Sequence, residues 1–88
     1  MGYFQYCSTQ EQAESIVGVI AEYMDINCVK FKSDYREIYK AIHDYDDWVT
    51  KICDGTVVGY MEEQYDKQFL VLLFEQSSDM IAFKICWG

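Results

Sequence analysis

Phe69-Leu70-Val71-Leu72-Leu73-Phe74 is the longest wholly apolar run in the chain, six residues. That is far short of the roughly 20 needed by a helix that crosses a bilayer, and it is the length of one strand. Successive side chains of a strand point to opposite faces, so a run that is apolar at every position is apolar above and below the sheet. Such a strand belongs in the middle of a sheet, covered from both sides. The chain that must supply the cover has 88 residues, enough for one core and no more. Residues 1–88 are therefore read as a single domain. Apolar residues make up 51% and charged ones 25%, the balance of a folded unit and not of a disordered one. There is no proline, no linker composition and no internal repeat to divide it.

Periodicity supplies the neighbours of that strand. Ala13, Ile16, Val17, Ile20 and Met24 recur at three- and four-residue spacing and predict a helix over residues 9–25, opened by a Ser8/Glu11 capping box. Tyr3-Phe4-Gln5-Tyr6-Cys7 before it reads as a short strand, and Cys28-Val29-Lys30-Phe31-Lys32 as a second with Val29 and Phe31 inward. Ile38, Ile42, Tyr45, Val49 and Ile52 predict a second helix, stopped at Asp54-Gly55. β-Rich runs follow at 56–65, 68–76 and 80–87, separated by turns at Asp66-Lys67 and Ser77-Ser78-Asp79. In the last run Ile81, Phe83, Ile85 and Trp87 are expected to face the helices.

The order is then β-α-β-α-β-β-β. It predicts an α+β, two-layer sandwich, with two helices packed on one face of a mixed five-stranded sheet that ends in an antiparallel meander. One sheet face stays open. Either Phe69, Val71 and Leu73 or Leu70, Leu72 and Phe74 would line it as an apolar stripe, the mark of a homodimer seam or a partner surface.

The inventory of reactive groups is thin. Cys7, Cys28, Cys53 and Cys86 form no Cys-x-x-Cys pair and have no histidine at metal-ligand spacing, so no metal site is expected. The start Met1-Gly2-Tyr3-Phe4-Gln5-Tyr6-Cys7 has no secretory character, and Tyr6 stands where an N-myristoylation signal needs Ser or Thr. Free thiols and a cytoplasmic protein are the expectation. His43, the single histidine, falls on the outer side of the second helix beside Asp44. Gly18, Gly55 and Gly59 build no phosphate-cradling loop, and no cofactor is expected. Trp48 and Trp87 read as core or core-edge anchors. The chain is not expected to be an enzyme.

Charge is the remaining signal. Fifteen Asp and Glu against seven Lys and Arg give a net charge of −8, which argues against direct binding to nucleic acid. On a helical wheel Glu11, Glu14, Glu22 and Asp25 share the side opposite the apolar stripe, within about 80° of one another. No cation accompanies them over about 21 Å, and Gly18 leaves the backbone bare in the middle. Glu22 and Asp25 stand near the negative end of the helix dipole, where stability alone would not put them. The second helix is the internal control, because Asp44, Asp47 and Asp54 are balanced there by Arg36, Lys40 and Lys51. Glu62, Glu63 and Asp66 form a second acidic cluster.

A row of carboxylates can imitate a nucleic-acid backbone and occupy a basic groove. The sequence thus predicts a small acidic inhibitor of a basic partner, a nucleic-acid-binding effector or a nuclease, with Glu11, Glu14, Glu22 and Asp25 as first contact line and Glu62, Glu63 and Asp66 as second. Phage anti-defence proteins, anti-CRISPR proteins among them, and immunity proteins that neutralise nuclease toxins are small acidic chains of this class. A ligand-binding or enzymatic domain, with a pocket of Tyr3, Lys30, Lys32 and Lys84 on the open sheet face, is the reading from another class.

Overall fold

The computed structural model describes residues 2–18, 27–32 and 35–87, apart from the side chains of residues 35, 36 and 38. The expected second half of the first helix, with Ile20, Glu22, Met24 and Asp25, lies outside the described residues. Among those described, the order is β1 (Tyr3–Tyr6), α1 (Gln10–Val17), β2 (Cys28–Lys32), α2 (Tyr35–Ile52), β3 (Thr56–Gln64), β4 (Lys67–Phe74) and α3 (Ser77–Trp87). The class is α+β, with a mixed four-stranded sheet in the order β1-β3-β4-β2. β1 runs parallel to β3, while β3–β4 and β4–β2 are antiparallel.

β4 is the internal strand that its composition demands. Leu70, Leu72 and Phe74 enter one core, and Val71 and Leu73 enter the core on the opposite face. All five are at most 2% exposed, so each stabilises the fold by about 1.5–3 kcal/mol relative to an exposed side chain. The hairpin to β3 is tight, pairing Gln64 with Lys67 across Tyr65 and Asp66. Both turn residues are left-handed, at φ 53° and 63°, as a two-residue turn matched to strand twist requires. The turn therefore sits one residue earlier than Asp66-Lys67.

Three expectations need correction. The run 80–87 is a helix and not a fifth strand. Alternation at 81, 83, 85 and 87 imitates a strand, but Met80, Phe83 and Trp87 also have helical spacing, and apolar residues at nearly every position satisfy both periods. In the helix Met80 and Phe83 are buried, while Ile81 and Ile85, expected inside, face outward. Second, α1 stops at Val17, because Gly18 takes φ 69° and its N–H donates to the Glu14 carbonyl at 2.8 Å. This left-handed cap is the conformation that glycine adopts without strain, so Gly18 ends the helix and does not sit in its middle. The N-cap is Thr9 and not Ser8: its Oγ1 accepts from Gln12 N at 3.2 Å, and Gln12 Oε1 accepts from Ser8 N at 3.4 Å. Third, the helices are not confined to one face. α2 and α3 cover the core of Phe4, Val57, Leu70, Leu72 and Phe74, whereas α1 covers the core of Cys7, Cys28, Val58, Tyr60, Val71 and Leu73 through Ala13. With Val71 and Leu73 buried inside the domain, neither β4 stripe is left open as a homodimer seam.

Asp79 locks α3 to the end of α2. This buried carboxylate accepts from Asp54 N at 3.2 Å and from Gly55 N at 2.9 Å. Glu75 adds a second tie, accepting from Thr56 N through Oε1 at 3.2 Å and donating its own N–H to the Thr56 carbonyl at 2.9 Å.

Candidate functional site

Among the described residues, the acidic side chains singled out by the sequence are dispersed. Glu11 is exposed on α1 and Glu14 half-buried, accepting from Gln10 Nε2 at 2.7 Å. α1 has eight residues, about 12 Å of helix, and of the expected contact line it carries Glu11 and Glu14. Glu22 and Asp25 lie outside the described residues. Glu62, on β3, is paired with Lys30 Nζ at 2.9 Å. Lys30 reaches it across β4, its ammonium 4.8 Å from the centre of the Phe69 ring. Glu63 accepts from Gln68 Nε2 at 3.5 Å, and Asp66 occupies the exposed hairpin turn.

The structure brings Glu14 and Glu62 into electrostatic reach of one buried group. Burial first, then Cys28, Glu62 and Glu14, push the Tyr60 hydroxyl well above the ordinary tyrosine value. Tyr60 thus stays a neutral packing residue. The expected pocket of Tyr3, Lys30, Lys32 and Lys84 does not assemble. Tyr3 is on β1 and the first two lysines on β2, at opposite edges of the sheet, while Lys84 belongs to α3.

The surface that the sequence reading missed lies on α2 and α3. Ile52, Ile81 and Ile85 are 56%, 54% and 79% exposed. Trp48, Ile52 and Trp87 share a groove of about 340 Å³ with Asp44, Asp47 and Lys51. Lys51 Nζ stands 3.7 Å from Asp47 Oδ2, the i,i+4 pair expected from spacing, and at such exposure it is worth at most a few tenths of a kcal/mol. His43 is exposed, as expected. One signal was available: residues 80–83 and 85–87 are all apolar or cysteine. A helix apolar all round is covered all round, and here only one side of α3 faces the sheet.

A second concavity opens on the other flank of α3. Val29 and Phe31 of β2, Tyr45 of α2, and Phe83, Lys84 and Trp87 of α3 line a cavity of about 210 Å³. Its walls are an ordered set of rings. Phe83 is nearly parallel to Phe31 (25°, centroids 6.3 Å apart) and to Trp87 (23°, 6.2 Å). Tyr45 stands edge-on to Phe31 at 84° and 6.0 Å and to Trp87 at 84° and 5.1 Å. Pairs of this geometry add about 0.5–1.5 kcal/mol each beyond burial, so the walls are held without a ligand.

Reactive chemistry is sparse in the described part. No group of three His, Cys, Asp or Glu there is arranged to hold a metal ion. The cysteines are free thiols, with Cys7, Cys28 and Cys53 buried. Burial pushes the Cys53 thiol up to about 12, and the Asp79 and Asp54 charges add to it. Burial likewise raises Cys7 and Cys28. A thiol held protonated is a poor nucleophile. No helix among the described residues is long and apolar enough to cross a membrane. Compared with protein-family models, curated proteins and solved structures, the chain matches none of them.

Proposed function

We propose that this domain is a non-enzymatic inhibitor that docks on a basic, nucleic-acid-handling surface of a partner protein through the α2–α3 face. The observation that carries the reading is an apolar surface edged with carboxylates. Trp48, Ile52 and Trp87 share their groove with Asp44, Asp47 and Lys51, and Ile81 and Ile85 stand exposed on α3 outside that groove. Interface centres are apolar and aromatic while their rims are polar, and this surface has that composition. Its charge, on a chain of net −8, selects a partner rich in Lys and Arg and speeds encounter with it. Surfaces of that kind are those that grip phosphate backbones. The α1 carboxylates lie across the sheet from this groove and extend the attractive field.

The test is capture from nuclease-treated host lysate by the tagged protein and by two double variants. Asp44→Lys/Asp47→Lys should lose a partner that the wild type retains and that salt releases steeply. Glu11→Lys/Glu14→Lys should keep it with a weaker salt dependence. The captured partner should also lose its nucleic-acid binding when the domain is added. Equal retention by both variants, or a partner indifferent to salt, refutes the assignment. A nuclease toxin as the partner makes the domain an immunity protein with the same face.

A further inference from the structure

We propose that the cavity between β2 and α3 is a binding site for a small aromatic monocarboxylate, its ring held among Phe31, Phe83 and Trp87 and its carboxylate by Lys84. The cavity's volume of about 210 Å³ is below the roughly 300–1,000 Å³ of most ligand sites, which restricts it to a small guest. Its lining residues are apolar or aromatic except for Lys84. Sites for small molecules have this form, an apolar cleft with very few polar groups that fix orientation. Three rings lie within about 25° of a common orientation along the row Phe31, Phe83, Trp87, which favours a flat guest stacked on or edge-on to them.

The charge preference is set by which ions are already paired. Lys30 is tied to Glu62 and Lys51 to Asp47, whereas Lys84 has no ion pair among the described residues, and none of the cavity's six lining residues is a carboxylate. An aromatic enclosure alone would also welcome a quaternary ammonium. Lys84 at the same opening repels one and attracts an anion, so the two guests separate cleanly. The groove on the other flank of Trp87 lacks this feature, because Asp44 and Asp47 line it with Lys51.

The probes are 3-phenylpropionate, its neutral amide, and phenethyltrimethylammonium, titrated against the ¹⁵N-labelled protein. Lys84→Gln, Lys84→Arg and the cavity-filling Val29→Phe are compared with wild type. Only the carboxylate should bind with a Kd below about 1 mM, shifting Val29, Phe31, Phe83 and Trp87 resonances. Lys84→Gln should weaken it about tenfold, or about 1.4 kcal/mol, and Lys84→Arg should stay within about threefold. Val29→Phe, whose own spectrum reports its fold, should abolish binding. Equal binding of amide and carboxylate, preference for the ammonium, shifts mapping to another face, or no binding at about 10 mM overturns the proposal. The site shares Trp87 with the partner-binding groove proposed above, but the titration needs no partner, so its failure and the failure of that reading are distinguishable.

Discussion

Asp79→Ala probes the one buried carboxylate among the described residues. Its two oxygens accept from Gly55 N at 2.9 Å and from Asp54 N at 3.2 Å. Hydrogen bonds to a charged acceptor are worth about 1.5–3 kcal/mol each. The Gly55 bond is buried and the Asp54 bond only partly so, which puts the sum near about 3 kcal/mol. Asp79 also sits in the first turn of α3, where its charge contributes about 0.3–1 kcal/mol through the helix dipole. A domain of this size has roughly 5–10 kcal/mol in all, so the variant should remain folded at 20 °C but melt about 12–24 °C lower. Urea unfolding followed by Trp48 and Trp87 fluorescence gives the loss at constant slope, and amide exchange should accelerate at Gly55 before it does in β4. Placing the charge one residue earlier, by Ser78→Asp in the Asp79→Ala background, restores the dipole contribution and not the bonds. It should recover less than about 1 kcal/mol. A loss below about 1 kcal/mol, or full recovery in the double variant, would refute the view that Asp79 clamps the α2–β3 turn.

Two further outcomes follow from groups already described. In the native state a thiol reagent at pH 8 should modify exposed Cys86 rapidly and leave buried Cys7, Cys28 and Cys53 unmodified until urea is added; labelling of all at one rate would contradict that packing. Because Cys53 is raised from its ordinary 9.0 to about 12, the folded chain holds a proton that the unfolded chain releases above pH 9, so stability should fall from about pH 9 towards pH 12. Cys53→Ser should reduce that slope, with the raised Cys7 and Cys28 leaving a remainder above pH 9 and the raised Tyr45 and Tyr60 adding to it above pH 10. Gly18→Ala forces a side chain into φ 69° and should cost about 1–2 kcal/mol in the same unfolding assay, with Gly18→Asn costing less; equal stability of all three would mean that the left-handed cap is not formed.

The parts of the fold that were legible in the sequence are those where one period excludes the other. Ile42, Tyr45 and Val49 sit at spacings no strand reproduces, and α2 follows them; Tyr45 and Val49 are buried. The alternation from Cys28 to Lys32 is β2, and the unbroken apolar run ending at Phe74 is the internal strand. α3 was illegible for the reason that makes it interesting. From Met80 to Trp87 only Lys84 is polar, so periods of 2 and 3.6 fit equally well, and the ambiguity comes from apolar side chains on the side away from the sheet. A helix that had only a core to face would carry polar residues at 81 and 85, and its period would then have been plain. Cap chemistry could have resolved it: Ser77 and Ser78 precede Asp79, an acidic first turn suited to a helix start. The acidic line is a different case, because only Glu11 and Glu14 of its four residues are described. Its wheel assumed a helix continuing through Gly18, and that glycine takes the left-handed conformation which ends α1. A helical wheel drawn through a backbone stop does not tell which charges beyond the stop share a surface with those before it. For the partner contact proposed above, the distinctive mark in the sequence is therefore less the carboxylates, which any acidic surface would show, than exposed Ile81 and Ile85, which the sheet does not need.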